Sequence, residues 1–191
     1  MKPSAITRTW ISIVVAFALL PAGAPPVASA DAASPLTALV DAAAQRLLTA
    51  DAVAASKWIT GGSIEDPARE RQVIDAVTSA ARARGVDPDY VGEIFRDQID
   101  ATVGVEYARF SAWKLDPALA PATAPNLSDS RGVIDALNRT MVEEVAAQRD
   151  SLNSAECPSD LQAAEAEVIG ARHLDGLYQQ AVSSATRSYC R

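Results

Sequence analysis

Histidine occurs once in this chain, at His173. A single imidazole excludes multi-histidine metal sites and histidine-based nucleophile triads, and His173 reads as a helix-surface or packing residue. Cysteine occurs twice, at Cys157 and Cys190. No glycine-rich loop of phosphate-cradling or dinucleotide type is present. Basic residues are also in short supply, 17 against 24 acidic ones, for a net charge of −7. Nucleic acids and anionic membranes need a basic surface, so neither is expected as a partner. An enzyme built from this chain would work without metal, nucleotide or the usual nucleophiles, and no cofactor is expected. An anion site would have to be a local basic pocket within an acidic protein.

The N-terminus carries Lys2 and Arg8, then an apolar run from Trp10 to Leu20, Pro21, and small residues ending Ala28-Ser29-Ala30. This is the pattern of a cleaved secretory signal, and the apolar run is short for a bilayer span. Residues 1–30 are therefore expected to be removed, the alternative being an uncleaved anchor. The rest, 31–191, is long enough for one domain with its own core. Loss of Lys2 and Arg8 leaves 15 basic against 24 acidic residues, a net charge of −9. An exported chain with an even cysteine count favours a Cys157–Cys190 disulfide over two free thiols. The expected location is outside the cytoplasm, secreted or held at the periplasm or cell envelope.

The pattern of the remainder is all-helical, with no sustained strand alternation. Leu36, Leu39, Val40, Ala43, Leu47, Ala50 and Ala54 keep the helical period, predicting a first helix over 34–60. Gly61-Gly62-Ser63 breaks it. Ser63 or Asp66 caps a second helix, with Pro67 in its first turn, that fades near Gly85. Asp87-Pro88 opens a third, ending near Trp113 or Lys114. Pro117, Pro121 and Pro125 mark an extended linker. Ser128 restarts helix, with Ile134, Asn138, Met141 and Val145 on one face. A last helix follows Pro158 and runs through Leu174 and Tyr178 to Ala181. Helices of 31–126 would carry most of the site; those of 127–191 would add Arg131 and the disulfide.

Several charged residues fall on stripes that should face the interior. Arg46 and Lys57 lie three helical turns apart, projecting within about 20° of each other and about 16 Å apart along the axis. They read either as snorkelling surface cations or as a grip on the two ends of an anion. Asp66 and Arg69, three residues apart, form a surface pair, a cap or a ligand contact. Thr102 and Glu106 follow Gln98 on a core-facing stripe, where a carboxylate must be paired or protonated. Arg131 is in register with Ile134 and Asn138. Unpaired buried cations are unfavourable, so their convergence points to a pocket for a small, multiply charged anion.

These residues carry a family resemblance over essentially the whole of 31–191. L-V-D-A-A-A-Q-R-L, A-A-S-K-W, I-E-D-P-A-R-E, D-P-D-Y-V, D-Q-I-x-A-T-x-x-x-E-Y-x-R-F-S-x-W-K-L, S-R-x-x-I-D-x-L-N-R, R-H-L-D-x-L-Y and S-Y-C together resemble the exported, gamma-subclass AroQ chorismate mutases. The cytoplasmic members often have glutamine where Glu106 stands and an acidic residue where Val73 stands. The resemblance implies an AroQ-type bundle of about five to six helices with one C-terminal disulfide, a homodimer, and cofactor-free conversion of chorismate to prephenate. It assigns Arg46, Arg69 and Arg131 to the substrate's carboxylates. Lys57 and a protonated Glu106 fall to the ether oxygen, Thr102 to a carboxylate and Asp66 to the ring hydroxyl, with Arg46, Lys57 and Glu106 the catalytic group. The alternative is an exported binding or host-interaction module on the same scaffold without turnover. The intact set of Arg46, Lys57, Arg69 and Arg131 weighs against it.

Overall fold

The computed structural model describes residues 33–191; the signal segment expected over 1–30 lies outside the described residues. Among these residues the regular structure is entirely helical: α1 (Thr37–Leu48), α2 (Ala50–Thr60), α3 (Pro67–Ala83), α4 (Pro88–Leu115), α5 (Leu127–Ala147), α6 (Arg149–Leu152), α7 (Cys157–Ala171) and α8 (Gly176–Ala185). α6 is a single turn, and α1 and α2 are two halves of one rod. The architecture is therefore the expected all-α bundle of six rods.

Local chemistry sets most of the boundaries. Asp66 accepts the Arg69 backbone N–H at 3.1 Å and starts α3, which decides between the two caps that Ser63 and Asp66 offered. Asp87 does the same for α4 through Asp89 N–H at 3.0 Å, and Pro67 and Pro88 occupy first-turn positions where no N–H is missed. Gly61, at φ 71°, closes α2 in the left-handed region, and the chain turns back along the end of that helix. Asn126, rather than Ser128, caps α5. The proline linker holds a 3₁₀ turn at Pro117–Leu119, capped by Asp116.

Two expected helices are divided. The first breaks at Thr49, whose hydroxyl and N–H both turn back to the Arg46 carbonyl. The last ends at Ala171 and restarts at Gly176, because His173 adopts a left-handed φ of 52° and Asp175 caps the new helix through Tyr178 N–H. His173 is thus a turn residue, not one on a helix surface.

α4, about 42 Å long at 1.5 Å per residue, is the central strut. Its Val91, Ile94, Phe95 and Val105 are fully or almost fully buried. They sit in one continuous core with Leu39, Val40 and Leu47 of α1, Val73 and Val77 of α3, Met141 and Val145 of α5, and Tyr178 and Val182 of α8. A smaller aromatic cluster joins α2 to the end of α4, with the Trp58 ring edge-on to Phe110 and Trp113 at 5.1 and 5.5 Å. The Cys157–Cys190 disulfide is formed. Among the described residues, no helix is long and apolar enough to cross a membrane.

Candidate active site

The bundle packs α1 to α5 so that one cleft receives a polar side chain from each. Arg46 comes from the last turn of α1 and Lys57 from the last turn of α2. Asp66 and Arg69 stand at the start of α3, Thr102 and Glu106 at the middle of α4, and Arg131 near the start of α5. All seven line the same cleft, which is open to solvent. Val53, Val73, Ile99 and Ile134 form its apolar walls. Such a mixture of apolar wall and a few convergent polar groups suits a small ligand.

Burial divides the set. Arg46 and Glu106 are 4 % and 3 % exposed, so they form the floor. Lys57 is mostly covered, and its ammonium donates to a Glu106 carboxylate oxygen at 2.7 Å and to the Ile64 carbonyl. Arg69 and Arg131 stand at the mouth, partly exposed, paired with Asp135 at 2.5 Å and Asp66 at 3.1 Å. The expectation that all of these faces are buried therefore applies to the floor only. Residues near the N-terminus of a helix sit at the end of the bundle, where solvent reaches them.

Arg46 is held differently. Its Nε donates to Asn138 Oδ1 at 2.7 Å and its Nη1 to Thr102 Oγ1 at 3.2 Å. Thr102 gives its own proton to the Gln98 carbonyl at 2.8 Å, which leaves the hydroxyl oxygen free to accept. Burial, reinforced by the nearby positive charge of Arg69, lowers the Arg46 pKa to about 10. Arg46 stays charged at neutral pH. Burial also raises the Glu106 pKa above the ordinary carboxylate value, opposed in part by its bond and charge interaction with Lys57. Glu106 thus keeps its proton to a higher pH than an exposed glutamate.

Asn138 and Asp135 enter the site as guanidinium partners that spacing alone does not single out. Asn138 sits on the apolar stripe of α5, and a buried amide there was the available signal. Ile64 contributes a backbone carbonyl, which leaves no trace in side-chain pattern. Among the described residues, no group of three or more His, Cys, Asp or Glu side chains could hold a metal ion.

The family model described as chorismate mutase type II matches residues 37–107, the stretch that supplies Arg46 through Glu106. The secreted chorismate mutase of Mycolicibacterium smegmatis is 57 % identical over 177 residues, covering 93 % of this chain and 98 % of that one. The secreted chorismate mutase of Mycobacterium tuberculosis is 45 % identical over 183 residues, covering 96 % and 92 %. The crystal structure of the Burkholderia phymatum chorismate mutase matches with a TM-score of 0.78 at 31 % identity, covering 83 % of this chain and 97 % of that one. A secreted chorismate mutase from Yersinia pestis shares the fold, with a TM-score of 0.64 at 21 % identity over 79 % of this chain and 94 % of that one.

Proposed function

The chain belongs to the type II chorismate mutases, and from that premise we propose that its cleft rearranges chorismate to prephenate with Lys57, Glu106 and Arg46 as the catalytic group. The observation that carries this reading is the convergence of Arg46, Lys57, Asp66, Arg69, Thr102, Glu106 and Arg131 on one cleft. The activity is that of an isomerase: an ether C–O bond breaks as a C–C bond forms within one molecule, and no atom is lost. No cofactor or covalent intermediate is needed. The enzyme has to fold a flexible dianion into its reactive chair and stabilise charge growing on the ether oxygen.

The residues divide these tasks. Arg46, Arg69 and Arg131 take the carboxylates, for which a planar fork is suited, and Thr102 adds a contact to one of them. Asp66 accepts from the ring hydroxyl. Lys57 donates to the ether oxygen, and a protonated Glu106 donates the second bond. Lys57 Nζ and Glu106 Oε2 lie 2.7 Å apart, close enough to support a reading in which both donate to one oxygen. We assign the chain to the extracytoplasmic space, after cleavage behind Ala30 of a signal over 1–30, and expect it to form a homodimer with each cleft inside one chain.

Purified residues 31–191 should consume chorismate, as followed by ultraviolet absorbance, and Arg131→Ala should lower kcat/KM by about 10- to 100-fold, the loss of one charge-assisted contact. Tight binding without turnover would instead make the protein a carrier, and no binding would leave a helical interaction module.

Glu106 sets the pH dependence. Its pKa is raised by burial, and a bound dianion raises it further. The competent form is the protonated one, so activity falls as pH rises through that pKa. Glu106→Gln should keep activity, because the amide also donates, and should flatten the alkaline decline. An unchanged pH profile in this variant would remove Glu106 from the role.

A further inference from the structure

The cations of the cleft are not equivalent in their counter-charges. Lys57 faces Glu106, Arg69 faces Asp135 and Arg131 faces Asp66. Arg46, the most deeply buried of the four, pairs with no carboxylate among the described residues. Its partners are the neutral Asn138 at 2.7 Å and Thr102 at 3.2 Å. Buried cations ordinarily carry a counter-ion, so this arrangement needs a reason.

Asn138 supplies one. It is 6 % exposed and stands one helical turn beyond Asp135 on α5. That helix therefore holds two arginines in two ways: a carboxylate for Arg69 at the mouth, an amide for Arg46 on the floor. Aspartate and asparagine have almost the same shape and differ in charge. The Asn138 oxygen takes Nε at the back of the guanidinium, and Thr102 takes one edge. Nη2 has no partner among the described residues, and Arg46 lines the cleft.

We propose that Asn138 is a positioning residue that fixes Arg46 through a neutral acceptor, so that the uncompensated charge of Arg46 is reserved for a carboxylate of the bound substrate. The proposal rests on the mutase reading for the identity of that carboxylate. The free protein bears an unfavourable buried charge, and the ligand supplies the missing counter-ion. Burial and the charge of Arg69 lower the Arg46 pKa more than the nearby charge of Asp135 raises it, which agrees with a desolvated cation whose compensation is incomplete.

A merely structural asparagine and a charge-reserving one differ in what N138D does. With a carboxylate against its Nε, Arg46 gains an internal counter-ion. The ligand-free protein should then melt several degrees higher. Substrate binding should weaken, with KM for chorismate raised about tenfold or more. N138A removes the acceptor and should lower the melting temperature while raising KM. Stability and affinity move in opposite directions in the first variant and fall together in the second.

The measurements are steady-state kinetics on chorismate and ligand-free thermal melts of wild type, N138D and N138A. A KM for N138D within about twofold of wild type overturns the proposal, and so does a lowered melting temperature accompanied by weakened binding. Failure of wild type to consume chorismate would overturn the mutase reading instead. The melts need no substrate, so they still decide whether Arg46 lacks a counter-ion.

Discussion

Lys57→Ala is expected to lower kcat about a thousandfold while leaving the protein folded. Removing one preorganised donor from a charge-developing oxygen lowers rates by about 10²–10³, or about 2.7–4 kcal/mol, and Lys57 has a second effect that pushes toward the upper end. Its ammonium is the counter-ion of Glu106, which is 3 % exposed and bonded to it at 2.7 Å. With the ammonium gone, the bond and charge that hold the Glu106 pKa down disappear and burial alone remains. Glu106 then stays protonated to higher pH. The variant's residual activity should accordingly show its alkaline decline shifted upward relative to wild type. A loss smaller than about tenfold would mean that Lys57 is not the principal donor. A large loss with an unmoved pH edge would uncouple it from Glu106. Lys57→Met, which keeps the stem packed, separates these effects from simple loss of side-chain volume.

The seven candidate residues were legible because each is an unusual residue type on a helical stripe or at a cap, and period and capping are local properties. Asp66-Pro67 and Asp87-Pro88 place two helix starts correctly for the same reason. What stayed hidden is tertiary. Arg46 finds Asn138 across 92 residues of sequence and Arg69 finds Asp135 across 66, distances over which no periodicity speaks. The break at Thr49 depends on a hydroxyl bonding back to Arg46 rather than on glycine or proline. The division after Ala171 was overridden by an apolar pattern that continues through Leu174 and Tyr178, although Asp175-Gly176 is a fair start signal. Partial exposure of Arg69 and Arg131 follows from which end of the bundle is open, and this emerges only once α3 and α5 are packed.

Replacement of both Cys157 and Cys190 by alanine is expected to lower the melting temperature by about 10 °C and to leave chorismate turnover at 25 °C nearly unchanged. The bridge spans a sequence separation of 33 residues, and the chain-entropy relation then gives about 3–4 kcal/mol of stabilisation through the unfolded state. For a domain of this size, each 1 kcal/mol moves the melting temperature by about 2–4 °C. Alanine is the appropriate replacement, because Cys157 is fully buried and a serine hydroxyl would need a partner. The bridge lies outside the catalytic cleft, and it ties the start of α7 to the chain beyond α8. That segment has other anchors. Tyr189 is fully buried, its carbonyl accepts from the Tyr90 hydroxyl, the Arg191 N–H donates to Leu152 O at 3.2 Å, and the Arg191 guanidinium pairs with Asp87 at 2.7 Å. These contacts hold the tail in place once the chain is folded, so the loss should fall on the equilibrium with the unfolded chain rather than on the native geometry of the cleft. Equal melting temperatures for the two proteins would show that the reduced chain is already constrained when unfolded. A loss of turnover at 25 °C, well below either transition, would show instead that the tail helps to hold the geometry of the cleft.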